Sequence, residues 1–125
     1  MNLEMPKLRS PVLSGDSDLA DGVVTVRFRG TADVEAMPDL QEYVTKLHAE
    51  SERVGAQKVI VDFRELEFMN SSSFKVFVTW LSKVQESPAD KHYRIHFLSN
   101  PNMHWQRRSL AALSCFAVDL VTIET

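Results

Sequence analysis

Val59-Ile60-Val61-Asp62-Phe63-Arg64-Glu65-Leu66-Glu67-Phe68-Met69-Asn70-Ser71-Ser72-Ser73-Phe74-Lys75-Val76-Phe77-Val78 reads as a strand, a short loop and three serines opening an apolar helix. Val59-Ile60-Val61 has no polar alternation, which predicts a central parallel strand over Lys58 to Phe63 with both faces covered. Asn70 and Ser71 are both good N-cap residues, and the helical period starts just after them. The serines therefore fall where unpaired backbone N–H groups and the positive end of a helix dipole converge, a place that suits a phosphate.

Outward from this stretch, helical and strand patterns alternate. Upstream, Val24, Val26 and Phe28 alternate with Thr25, Arg27 and Arg29, predicting a strand over 23–29 with one buried and one wet face. Gly30 to Asp33 reads as the turn that ends it. Leu40, Tyr43, Val44, Leu47 and Val54 share one face of a helix that begins near Pro38 and stops at Gly55. Downstream, the serine-capped helix runs to about Ser87. Tyr93, Ile95 and Phe97 alternate in a strand, a helix spans about Met103 to Ser114, and a last strand covers about Val118 to Ile123.

Residues 1–21 are partly irregular. Leu8 to Leu13 forms at most an edge strand because of Pro11, and Asp16, Asp18, Asp21 and Gly22 read as a turn. The order βαβαβαβ argues for a single α/β domain over 1–125, built on a mixed, mainly parallel sheet with helices mostly on one face.

A chain of 125 residues with 44% hydrophobic residues holds one core, and a net charge of −3 favours neither nucleic acid nor an anionic membrane as partner. Cys115 stands alone, so no intrachain disulfide forms and a reducing compartment is expected. The start Met1-Asn2-Leu3-Glu4-Met5-Pro6 lacks the pattern of a signal peptide, and no apolar run spans a bilayer, so the expected location is cytoplasmic.

Catalysis finds little support. Serines, Asp62 and the histidines His48, His92, His96 and His104 invite a search for a hydrolase triad, but there is no Gly-x-Ser-x-Gly elbow and no spacing that implies contact. The histidines and single cysteine lack metal-ligand spacing, and no glycine-rich phosphate loop is present, so neither metal nor cofactor is expected. Asp62 is expected at a strand end, hydrogen-bonded near the helix start.

Strand, Asp62, loop, Leu66-Glu67-Phe68-Met69 and Asn70-Ser71-Ser72-Ser73 resemble the central signature of STAS domains, the fold of bacterial anti-sigma-factor antagonists. Gly30 and Asp33 match that family's Gly-x-x-Asp turn, and the resemblance runs on to about Ile123. Three positions depart from it: Asn70 stands where Asp is usual, Ser73 where Gly is usual, and Lys75 where a small residue is common.

The resemblance implies a regulatory protein–protein interaction module for signal transduction, binding a serine kinase or anti-sigma factor through Asn70, Ser71, Ser72, Ser73, Phe74 and Lys75. Ser71, ahead of Ser72, would be the phosphorylation site. The alternative is a non-switching STAS subunit of a scaffold or of a lipid ABC-transporter complex.

The helix Ser71 to Ser87 is more apolar than one face requires. Either two neighbours bury it, or Phe74, Val76 or Trp80 is exposed to anchor a partner. Lys75, four residues after Ser71, is either a solvated lysine or a counterion for a phosphate there.

Overall fold

A computed structural model describes residues 2–125. Its framework is one six-stranded sheet whose spatial order follows the chain: β1 (Leu8–Arg9), β2 (Leu13–Ala20), β3 (Val23–Ala32), β4 (Lys58–Met69), β5 (Arg94–Leu98) and β6 (Val121–Glu124). β1, β2 and β3 are antiparallel neighbours, whereas β3 to β6 run parallel. The parallel crossovers carry helices α1 (Met37–Arg53), α2 (Ser71–Glu86) and α3 (His104–Cys115).

Strand alternation decides which face of the sheet the helices cover. Val24, Val59, Ile95 and Val121 stand in register across four strands, as do Val26, Val61 and Phe97. All of these are buried, together with Leu40, Tyr43, Val44 and Leu47 of α1, Phe77, Trp80, Leu81 and Val84 of α2, and Leu110 and Leu113 of α3. Phe28, Phe63 and Phe77 pack edge-on or tilted at the centre, with ring centroids 5.3–5.9 Å apart.

The predicted β4 is internal, between β3 and β5, and β3 has the expected wetter face. The expectation that both faces of β4 are covered is corrected. Ile60 is only partly buried, on the open face between Thr25 and His96, because all the inward-facing residues point to the other side.

Two further corrections concern strand lengths. Asp16 and Asp18 lie in β2 and not in a turn; only Asp21 and Gly22, with φ of 52° and 78°, make the two-residue hairpin turn. β2 escaped notice because its inner face, Leu13, Gly15, Ser17 and Leu19, is weakly apolar. Its outer acids instead pair with arginines of β3: Arg27 lies 2.9 Å from Asp18, and Arg29 lies 3.3 Å from Asp16.

The second concerns the ends of β3 and β4. The supposed loop Arg64 to Met69 continues β4, and β3 runs on to Ala32 through register shifts at 27/29 and 30/31. Gly30 sits in this bulged region with φ of 105°, and a Cβ there would overlap the Val12 carbonyl oxygen. The glycine thus marks a close approach of two strands rather than the end of one.

Candidate functional site

β3 and β4 extend together beyond the rest of the sheet and deliver the serines to its edge. The paired tails end at Ala32 and Met69, and the Ala32 carbonyl accepts both Asn70 N (2.9 Å) and Ser73 Oγ (3.2 Å). Asn70 is the N-cap: its Oδ1 accepts the Ser73 N–H at 2.8 Å, and its carbonyl accepts from Phe74 N. Ser71 and Ser72 are exposed, and their hydroxyls form no hydrogen bond among the described residues. Their two N–H groups have no helical partner, and the first turn of α2 carries no acid.

The six expected partner-binding residues therefore separate. Asn70 is a half-buried cap, while Ser71, Ser72 and Lys75 face solvent. Ser73 differs from its neighbours: it is 0% exposed, and its hydroxyl donates to the Ala32 carbonyl, so its side chain is turned away from the surface. At this site a side chain must fit between the helix start and the β3 end, so only a small residue is accommodated. Phe74 turns toward α3, edge-on to Phe116 at 6.5 Å.

Val76 and Trp80 are buried, which settles the question of the very apolar helix in favour of two neighbours. Apolar exposure near the serines comes instead from Val34, 78% exposed after β3, and Phe68, 48% exposed at the end of β4. The sequence reading missed both. Phe68 departs from the strand period: Leu66, two residues before it, is buried, and the register shift at Glu67 turns Phe68 outward, a change that the sequence does not signal.

Gln106 was missed too. β4 pairs with β5 only as far as Asp62, so the carbonyls beyond need other donors. Fully buried, Gln106 donates from Nε2 to Phe63 O (2.6 Å) and Leu66 O (2.9 Å), and its Oε1 accepts Asn100 N at 2.7 Å. A polar residue four before Leu110 and seven before Leu113, on the inward stripe of α3, was the sign of it. The side chain holds the β4 tail that leads to the cap.

Asp62 lies away from the helix start, on the open sheet face, correcting the expected hydrogen bonds there. Burial alone would raise its carboxyl, but the Arg64 guanidinium (2.8 and 3.0 Å) and Arg64 N–H (2.9 Å) outweigh that and hold it below its ordinary value.

The four histidines stay apart. His48 meets Tyr93, His92 meets the Ser87 carbonyl, His96 meets Thr122 and Glu124, and His104 opens α3. None of the first three bonds a serine hydroxyl. Among the described residues no cluster of three His, Cys, Asp or Glu side chains is arranged to hold a metal, and no helix is long and apolar enough to cross a membrane.

Behind the exposed turn, α2 is locked by a buried relay. Trp80 Nε1–H donates to Tyr93 Oη at 2.7 Å, and Tyr93 Oη lies 2.8 Å from His48 Nδ1. Indole only donates, so the Tyr93 proton goes to His48, and neutral His48 carries its hydrogen on Nε2. Burial, with Lys83 adding to it against Glu52, lowers the His48 pKa.

Comparison with known proteins follows the same lines. The STAS domain family matches residues 16–89. No curated protein matches by sequence. Among solved structures, an anti-sigma factor antagonist from Mycobacterium paratuberculosis is similar with a TM-score of 0.63 and 16% identity, over 86% of each chain. The anti-sigma factor antagonist SpoIIAA in its unphosphorylated form is similar with a TM-score of 0.59 and 17% identity, over 89% of this chain and 88% of that one. The protein TM1081 gives 0.60 and 18%, over 86% and 78%. With the paired β3–β4 tails, the capped serine turn and this match over more than half of its length, the chain belongs to the STAS domain family.

Proposed function

We propose that this protein is a regulatory docking module of the anti-sigma-factor-antagonist type. Its partner, a serine kinase or anti-sigma factor, would bind the edge formed by Phe68, the α2 start and Val34, and Ser71 would be the phosphorylated switch. The observation that carries this reading is the geometry of the first turn of α2. Ser71 is exposed beside two free backbone N–H groups, the cap is supplied by Asn70 and not by Ser71, and apolar side chains stand exposed nearby.

A phosphate on Ser71 would add about two negative charges where the helix dipole and free N–H groups tolerate an anion. The folded domain would keep its shape, while a partner that desolvates the turn or places a carboxylate there would be expelled. Asn70, in place of the family's usual Asp, removes one charge that would repel the phosphate. Such a module acts by binding and not by catalysis, and it works on the inner side of the cell membrane where its partners are.

The test is calorimetric affinity for the partner captured from the native cell, together with mass spectrometry of the peptide containing residues 71–73. Ser71→Asp should weaken binding, and Ser71→Ala should preserve it while making it insensitive to the kinase. Equal affinities for wild type and both variants would reject the switch and favour a subunit that docks constitutively.

A further inference from the structure

A groove of about 210 Å³ runs between α1 and α2, from Ser72 and Lys75 near the α2 start to Lys83. One wall is a stripe of α2, Ser72, Lys75, Thr79 and Lys83, spaced three or four residues apart and so on one helical face. Gln41 and His48 of α1 stand on the other wall. No carboxylate lines it, although the chain is acidic overall.

Lys75 and Lys83 form no ion pair among the described residues. Lys75 and Lys83 flank Thr79 at four residues on either side, about 6 Å along the axis each way, within the reach of a lysine side chain. Two ammonium groups can thus converge over one hydroxyl, which has no other hydrogen bond among the described residues.

His48 makes this more than a row of surface side chains. The Trp80–Tyr93 relay fixes its tautomer, so Nε2–H is a donor held at the groove wall with its side chain only 14% exposed. Glu52 lies 3.6 Å from that nitrogen, but its other oxygen accepts the Ser87 hydroxyl at 2.9 Å, and Glu52 does not line the groove. The favourable centre for an anion therefore lies nearer Thr79 than Glu52.

We propose that the α1–α2 groove is a binding site for a compact phosphate-class dianion, held by Lys75, Lys83 and the Thr79 hydroxyl. Two lysines match two negative charges, and ammonium and hydroxyl donors suit a tetrahedral oxyanion. The floor argues against a ligand with a large apolar body. Trp80 is 1% exposed and Val76 8%, so neither offers a surface on which a nucleobase could stack. The site shares Lys75 with the turn that carries Ser71, so a phosphate on Ser71 would compete for the same ammonium group.

Titration with inorganic phosphate at pH 8 and fixed ionic strength, followed by amide NMR, tests this. Saturable shifts should centre on Ser72, Lys75, Thr79 and Lys83. Lys75→Ala and Lys83→Ala should each weaken binding about fivefold, the double variant should abolish it, and Arg107→Ala should leave it unchanged. Thr79→Val, which keeps the shape and removes the hydroxyl, should also weaken it. Adenosine monophosphate should bind within about twofold of phosphate, since a base gains no contact. Shifts scattered over exposed basic side chains, unchanged affinity in the double lysine variant or in Thr79→Val, or equal binding of citrate would each overturn the proposal. A much tighter grip on the nucleotide would overturn the compact-ligand assignment.

Discussion

The first turn and the middle of α2 are built on opposite principles. Its first turn is open: exposed hydroxyls, unpaired N–H groups and a polar cap, and its one fully buried side chain, Ser73, is small and polar. Its middle is closed: Phe77, Trp80, Leu81 and Val84 are all 1% exposed or less, and Trp80 is tied through Tyr93 to His48 of α1. The contrast separates the part of α2 that holds the fold from the part that solvent reaches. Charge can change at the open turn without disturbing the packing that holds the helix, because the buried contacts begin a turn later.

The sharpest way to break that contrast is in the middle. Trp80→Ala removes a fully buried aromatic side chain and the donor to Tyr93, and should destabilise the fold by about 3–5 kcal/mol in denaturant melts. A loss under about 1 kcal/mol would mean that the middle is not the anchor.

Gln106→Leu comes next. It leaves the Phe63 and Leu66 carbonyls without their donor, at a cost of about 1–3 kcal/mol. Because those carbonyls lie on the β4 tail, amide exchange should also speed up around 63–70, ahead of global unfolding.

Asn70→Ala removes the cap and should cost about 1 kcal/mol, whereas Ser71→Ala, one residue on, should stay within about 0.5 kcal/mol. The pair distinguishes the residue that holds the turn from the exposed residue proposed as the phosphorylation site. Equal losses in thermal or denaturant melts would erase that distinction.

Two pH effects extend the comparison. His48 titrates below its ordinary value of 6.5, first because it is buried, so the unfolded chain takes up the proton more readily. Its contribution to stability is present above pH 6.5 and is lost as the pH falls through the folded value, when a proton on Nδ1 would displace the Tyr93 hydrogen bond. Melts of His48→Gln should show a weaker pH dependence over that window.

Glu50 behaves in the same direction at lower pH. Arg53 and the Glu4 N–H hold its carboxyl at about 2, against an ordinary 4.5, tying the N-terminal segment to the end of α1. That contribution is present above 4.5 and fades as the pH drops toward 2; Glu50→Gln should remove it while leaving the window near 6.5 intact.

Much of this was visible in the chain itself. The alternation of Val24, Val26 and Phe28, the apolar run at 59–61, the inward stripe of α1 and the Asn70-Ser71 cap are local patterns, set by residues one to four positions apart. The α/β order and the position of the serines follow from them. The STAS signature added the choice of Ser71 and the expected kind of partner.

What only the tertiary structure decided depends on residues far apart in sequence. β2 is a strand because its whole length pairs with β3 across a hairpin, its acids meeting Arg27 and Arg29 on the outer face, a pairing its own weak pattern did not announce. Ser73 differs from its two neighbours because the Ala32 carbonyl, 41 residues away, receives its hydroxyl. Gln106 is buried because two carbonyls of β4 lose their sheet partners there. The groove lined by Lys75, Thr79 and Lys83 exists only because α1 packs beside α2. Periodicity tells which face of an element is apolar, but whether a particular polar group is satisfied, buried or left free is settled by what the rest of the fold brings to it.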